Sequence, residues 1–153
     1  MTAREFWDAF LKDNGRDPST EWYECFGFGP TPRVQDELLA LVLEGKKRAT
    51  TSCVASYVAE GQRLARPGDL SVVLDGSGNP RCVIETERVM VLPFRDVTFE
   101  TCSREGEDEA LDTWREAHFR IFSDEGRELG FAFTEDSPVA FEDFRVVYPP
   151  ETQ

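Results

Sequence analysis

Apolar residues recur at helical spacing in three stretches of the chain and alternate with polar ones in much of what lies between. Near the start, Phe6, Phe10 and Leu11 form a stripe behind Thr2 and Glu5, whose spacing is that of a capping box, so residues 3 to 13 read as a helix ended by Asn14-Gly15. Trp22 to Pro32, rich in aromatics, glycine and proline, reads as a packed loop. Thr31 as cap, Pro32 at the first helical position and Val34, Leu38, Leu41 and Val42 on one face predict a second helix that Gly45 closes. A strand is expected near residue 50. Leu70, Val72 and Leu74, then Cys82, Ile84 and Thr86, alternate on either side of a turn cluster at 75–80, which predicts a hairpin. A short helix is expected from Asp96 to Arg104. Asp108 is placed to cap a third long helix, with Leu111, Trp114, His118, Ile121 and Phe122 on its apolar face and Gly126 or Gly130 as its stop. Val139 to Tyr148 reads as a last strand, kinked at Glu142-Asp143, before a tail from Pro149.

Helices and hairpins mixed without a regular βαβ alternation predict an α+β class, a small curled sheet flanked by helices. With 153 residues, 40% hydrophobic and 31% charged, the composition is that of one globular domain, 1–153, with the helix 3–13 at its start and a tail at 149–153. The opening residues lack a basic-then-apolar layout and no apolar run is long enough to span a bilayer, so no membrane partner and a cytoplasmic location are expected. Seventeen Lys plus Arg against thirty Asp plus Glu leave a net charge of −13, which disfavours nonspecific binding to duplex nucleic acid. Any nucleic-acid role must rest on a local site. Cys25, Cys53, Cys82 and Cys102 are far apart and His118 is the single histidine, so no zinc pattern or paired redox motif can be written and the thiols read as reduced. The zinc nucleobase deaminases are excluded on the same ground.

The most unusual run is Gly45-Lys46-Lys47-Arg48-Ala49-Thr50-Thr51-Ser52, cations followed by three hydroxyls. One glycine is too few for a Walker loop, which leaves either charges stabilising a helix C-terminus or a compact anion or nucleotide site. Between Glu44 and Arg66 five cations stand against two acids, while Glu100 to Glu116 carries seven acids and two arginines. If the two segments meet, Lys47 beside a carboxylate such as Glu105 and the hydroxyl of Thr50 supply acid, base and nucleophile for hydrolysing an amide or a phosphodiester. General-base work by a lysine needs desolvation or a cationic neighbour, a part open to Lys46 or Arg48. His118, in the middle of an apolar helical face, reads as packed and structural, and Cys53 as a buried inert thiol.

The ordered set Phe26-Gly27, Asp36-Glu37-Leu38, Gly45-x-Lys47-x-Ala49-Thr50-x-Ser52, Tyr57, Pro67-Gly68-Asp69, Glu105-Gly106-Glu107-Asp108, Trp114-Arg115 and His118 resembles the ASCH family, in its longer bacterial branch, over about residues 20 to 148. The resemblance implies a PUA-like fold, a small β-barrel flanked by helices, with a cleft for RNA or modified nucleosides beside the G-x-K-x-x-T motif. Some relatives are N4-acetylcytidine amidohydrolases, and by motif position their catalytic lysine, threonine and glutamate fall on Lys47, Thr50 and Glu105. Another relative is a metal-dependent ribonuclease, so the fold leaves the reaction open. Two departures stand out: Phe28 replaces the usual aspartate after Phe-Gly, and the acidic motif is one glycine shorter. The implied reading is a hydrolase of a modified nucleoside or RNA base that releases acetate. In it Lys46, Arg48, Thr51 and Ser52 help orient the ligand, and Phe26 or Tyr57 stacks on the base. The alternatives are a noncatalytic RNA- or nucleotide-binding module and a metal-dependent ribonuclease, so the expected partner is a modified nucleoside or single-stranded RNA. No cofactor is implied, apart from a divalent metal in the ribonuclease case.

Overall fold

The computed structural model describes residues 1–150; the last three residues of the expected tail, 151–153, lie outside the described residues. Helix α1 spans Ala3–Asp13 with the capping box formed in both directions: the Thr2 hydroxyl accepts from the Glu5 N–H, and the Glu5 carboxylate accepts from the Thr2 N–H at 2.9 Å. It buries Trp7, Phe10 and Leu11. The segment after it corrects the expected loop in one place, because Cys25–Phe26 forms a short strand, β1, parallel to β3 (Leu70–Leu74). Two residues carry no period to read; what makes them a strand is the open edge of β3, whose Val72 N–H donates to the Glu24 carbonyl.

Helix α2 is Pro32–Leu43, capped by the Thr31 hydroxyl and followed by Gly45 at φ +80. Its buried residues are Leu39 and Val42, so the inward face is rotated slightly from the expected one. Strand β2, Ala49–Cys53, runs directly into a short helix α3, Val54–Ala59, that periodicity did not predict. The hairpin forms as expected from β3 and β4, with β4 continuing from Pro80 to Pro93. The expected helix 96–104 is broken into a 3-10 turn at Phe94–Asp96, helix α4 at Phe99–Cys102 and a second 3-10 turn at Ser103–Glu105. Helix α5 spans Leu111–Leu129, and here the expected cap is corrected: the N-cap residue is Ala110, with no side-chain bond from Asp108. Gly130, at φ +88, ends the helix; Gly126 stays inside it because the chain folds back there, where a Cβ would meet the Phe131 carbonyl oxygen at 2.4 Å. Ile121, expected on the apolar face, is exposed. Strand β5 is Pro138–Tyr148, and the irregularity expected at 142–143 belongs to its partner, where the register slips between Thr86 and Arg88 opposite Phe144 and Asp143.

The five strands form one curled sheet in the order β1-β3-β4-β5-β2, and the class is α+β, as expected. The outer face is apolar at its two ends, where α1 covers Leu70, Val72 and Val83, and where α5 and the 94–97 segment cover Ala49, Cys53, Val139 and Phe141; between them it carries Glu85, Arg145 and Asp143. The concave face is divided. At one end Val73, Cys82, Ile84 and Phe144 pack against Leu39 and Val42 of α2 and against Phe28. At the other, Ser71, Thr50, Ser52, Ala140 and Glu142 line an open hollow. Among the described residues no helix is long and apolar enough to cross a membrane.

Candidate functional site

The three cations after α2 part company. The N–H groups of Lys46 and Lys47 both donate to the Leu41 carbonyl, and the Arg48 backbone is zipped between the Arg104 carbonyl and the Phe144 N–H. That path leaves Lys46 and Arg48 at the surface and sends the Lys47 side chain into the protein, 2% exposed. Facing it is Glu105, also 2% exposed, at the end of the second 3-10 turn. The turn closes on Gly106 at φ +71, pressed so tightly on the Lys46–Lys47 peptide that a Cβ would stand 2.5 Å from the Lys46 carbonyl oxygen. Glycine is what allows the acidic loop to reach the lysine.

Lys47 Nζ donates to the Ala49 carbonyl at 2.9 Å and to Glu107 Oε2 at 2.6 Å, and lies 3.4 Å from Glu105 Oε1. It also sits 5.3 Å from the centroid of Phe28, the residue that departs from the family pattern. The second oxygen of Glu105 accepts from Thr51 Oγ1 at 3.0 Å and from the indole N–H of Trp114, with His118 Nε2 at 3.5 Å. His118 stacks on the Trp114 ring, and its Nδ1 lies 2.9 Å from the Trp114 carbonyl oxygen, which agrees with a packed, hydrogen-bonded histidine. Of the three consecutive hydroxyls, Thr51 is therefore the one bound to Glu105.

Alternation along β2 sends Thr50 and Ser52 the other way, onto the concave face. Thr50 stands at a junction. It lines a 590 Å³ cleft together with Lys47, Glu105, Glu107, His118 and Phe28, and also lines the 330 Å³ hollow with Ser52, Tyr57, Phe26, Glu24 and Glu142. Phe26 meets Phe28 edge to face at 4.8 Å. The Tyr57 hydroxyl donates to Glu24 at 3.1 Å, and burial, reinforced by that carboxylate, pushes its pKa up to about 12. Lys47, Thr50, Glu105 and Thr51 are thus brought together, with Phe26, Ser52 and Tyr57 across the hollow. Lys46 and Arg48 are not: Lys46 is paired with Glu44 at 3.4 Å, and Arg48 lines a separate groove with Val42, Phe144 and Pro149.

Sequence reasoning missed the acids on the concave face. Glu142, directly opposite Thr50 in the β2–β5 register, accepts from Thr86 Oγ1 at 3.0 Å. Burial pushes its pKa up to about 7, with Glu24 and Asp69 adding repulsion and the Thr86 hydrogen bond opposing it. The signal was available: Ala140, Glu142 and Phe144 share a face by strand period, so a glutamate was being sent inward. The thiols are free, and burial raises those of Cys53, Cys82 and Cys102. Among the described residues no group of three or more His, Cys, Asp or Glu is arranged to hold a metal ion.

An ASCH domain family model matches residues 24–148. The fold is similar to that of protein EF3133 from Enterococcus faecalis V583, with a TM-score of 0.86 and 30% identity, covering 94% of this chain and 86% of that one. It is also similar to an ASCH domain from Lactobacillus crispatus JV V101, with a TM-score of 0.83 and 31% identity over 95% of each chain. Protein PH0355 shares the fold alone, at 18% identity and a TM-score of 0.53, over 81% of this chain and 98% of its own. No curated protein matches.

Proposed function

Since this chain belongs to the ASCH domain family, whose PUA-like fold is consistent with an RNA-related function, we propose that it hydrolyses an acylated nucleobase, of which N4-acetylcytidine is the type substrate. The observation that carries this reading is the position of Thr50, on the wall shared by a nucleoside-sized hollow and the cleft that holds Lys47 and Glu105. The base occupies the hollow among Phe26, Ser52 and Tyr57, and its acyl group reaches Thr50. Thr50 Oγ attacks the carbonyl carbon as its proton passes to the carboxylates beside Lys47, and the Lys47 ammonium faces the developing oxyanion. The C–N bond then breaks, the proton returns to the leaving amine, and water cleaves the Thr50 ester to release acetate.

A second reading is favoured by the hydrogen bonding of the lysine. The Ala49 carbonyl, Glu105 and Glu107 between them occupy the three N–H groups of Lys47, as expected of a lock that shapes a receptor without chemistry. Incubation with N4-acetylcytidine separates the two. Cytidine and acetate formed by the wild type and lost in Thr50→Ala support hydrolysis; saturable binding without product supports a receptor; cleavage of unstructured RNA would move the assignment to a ribonuclease.

A further inference from the structure

Glu142 is a half-buried acid that the proposed chemistry does not use. It lies on the concave face of β5, in register with Thr50 on β2, which puts the two side chains next to each other on the same wall. One carboxyl oxygen accepts from Thr86; the other takes no hydrogen bond from the protein among the described residues, and Glu142 lines the hollow. Its titratable neighbours are acids and phenols: Glu24 and Tyr23 from the chain leading into β1, Tyr57 from α3, Glu125 from α5, and Asp69 before β3, which is bridged to Arg63 at 2.8 Å. The lining of the hollow includes three carboxylates and neither lysine nor arginine, so a phosphate there would meet repulsion and no cation.

Resting on the nucleoside reading, we propose that Glu142, as a neutral carboxylic acid, selects the base: its O–H donates to a ring nitrogen while its carbonyl oxygen accepts from the adjacent exocyclic N–H. That amidine edge belongs to cytosine and adenine. Uracil, with a ring N–H beside a carbonyl, presents the opposite pattern. A pKa near 7 keeps about half of the chains in the acid form at neutral pH, and the Thr86 hydroxyl, by donating to one oxygen, keeps that oxygen the carbonyl acceptor with a second lone pair and leaves the proton on the other. The same pairing brings the exocyclic nitrogen of an acylated base to the strand position opposite Thr50.

The test is binding of cytidine and of uridine to the full chain by titration calorimetry, from about pH 6 to about pH 9, for the wild type, Glu142→Gln and Glu142→Ala. The amide of Glu142→Gln presents the same donor and acceptor as the acid and does not titrate. The wild type is expected to prefer cytidine by at least about tenfold and to lose affinity by about tenfold per pH unit once the acid ionises above about pH 7. Glu142→Gln keeps the preference without the pH dependence, and Glu142→Ala loses it; the Gln variant guards against a misfolded Ala variant. Equal affinity for both nucleosides, or an Ala variant that still discriminates, overturns the assignment of Glu142 and leaves the nucleoside reading intact. Failure of the wild type to bind either nucleoside overturns both.

Discussion

The Lys47 ammonium nitrogen lies 3.4 Å from a Glu105 carboxylate oxygen, across 58 residues of chain, with both side chains 2% exposed. Removing one member of such a pair strands the other. Lys47→Met leaves two carboxylates without their cation and is expected to cost about 3–5 kcal/mol, a melting temperature lower by about 6–20 °C. Circular-dichroism melts check this; an unchanged midpoint would mean that the pair is not formed in solution. Lys47→Arg, which keeps the charge, is expected to lose less.

Thr50 and Thr51 are adjacent in sequence and opposite in consequence. Thr51→Ala removes a hydroxyl donor to a buried carboxylate and is expected to destabilise by about 1–3 kcal/mol in urea denaturation. Thr50→Ala faces the hollow and is expected to stay within about 1 kcal/mol of the wild type while abolishing turnover of N4-acetylcytidine. A Thr50→Ala variant that still forms cytidine at the wild-type rate would remove the nucleophile from the mechanism.

Glu142 makes stability fall as pH rises. Its pKa in the folded chain, about 7, lies above the ordinary 4.5, so the folded state holds a proton that the unfolded chain has already released. The contribution is full below about pH 4.5 and is lost as pH climbs through about 7. Glu142→Gln, which needs no proton, is expected to match the wild type at the acid end and to exceed it by on the order of 3 kcal/mol above neutrality. Urea midpoints of the two proteins across that range give the difference; parallel curves would contradict it.

Gly106→Ala is expected to cost at least about 2 kcal/mol, since it combines a left-handed φ of +71 with a clash against the Lys46 carbonyl oxygen. Relief of that clash pulls the 103–105 turn outward. Glu105 therefore leaves Trp114, and a changed indole fluorescence should accompany the loss of stability.

Elements with strong local signals were legible in the chain: the Thr2–Glu5 box, the Thr31-Pro32 start, the alternation of the hairpin and the apolar face of α5 all act within a few residues. β1 and α3 were not. The first is too short to have a period and depends on the edge of β3, and the second begins at Cys53 with no side-chain cap. Asp108 looked like a cap because the acid precedes an apolar stripe, but the helix starts two residues later. The contrast of a basic and an acidic segment raised the meeting of Lys47 with Glu105 only as a condition, and the family resemblance implied it, since no spacing rule spans that separation. Which threonine would face which side depended on the phase of β2, and Lys46 and Arg48 were grouped with Lys47 although backbone bonds to Leu41, Arg104 and Phe144 set the three side chains apart.

The division of the concave face assigns folding and recognition to different side chains. Leu39, Val42, Val73 and Phe144 form the apolar cluster at one end, and Ser52, Tyr57 and Glu142 line the hollow outside it, at the other end. A handful of substitutions at that end would retune the receptor for another guest, an evolutionary freedom that a uniformly packed barrel does not have.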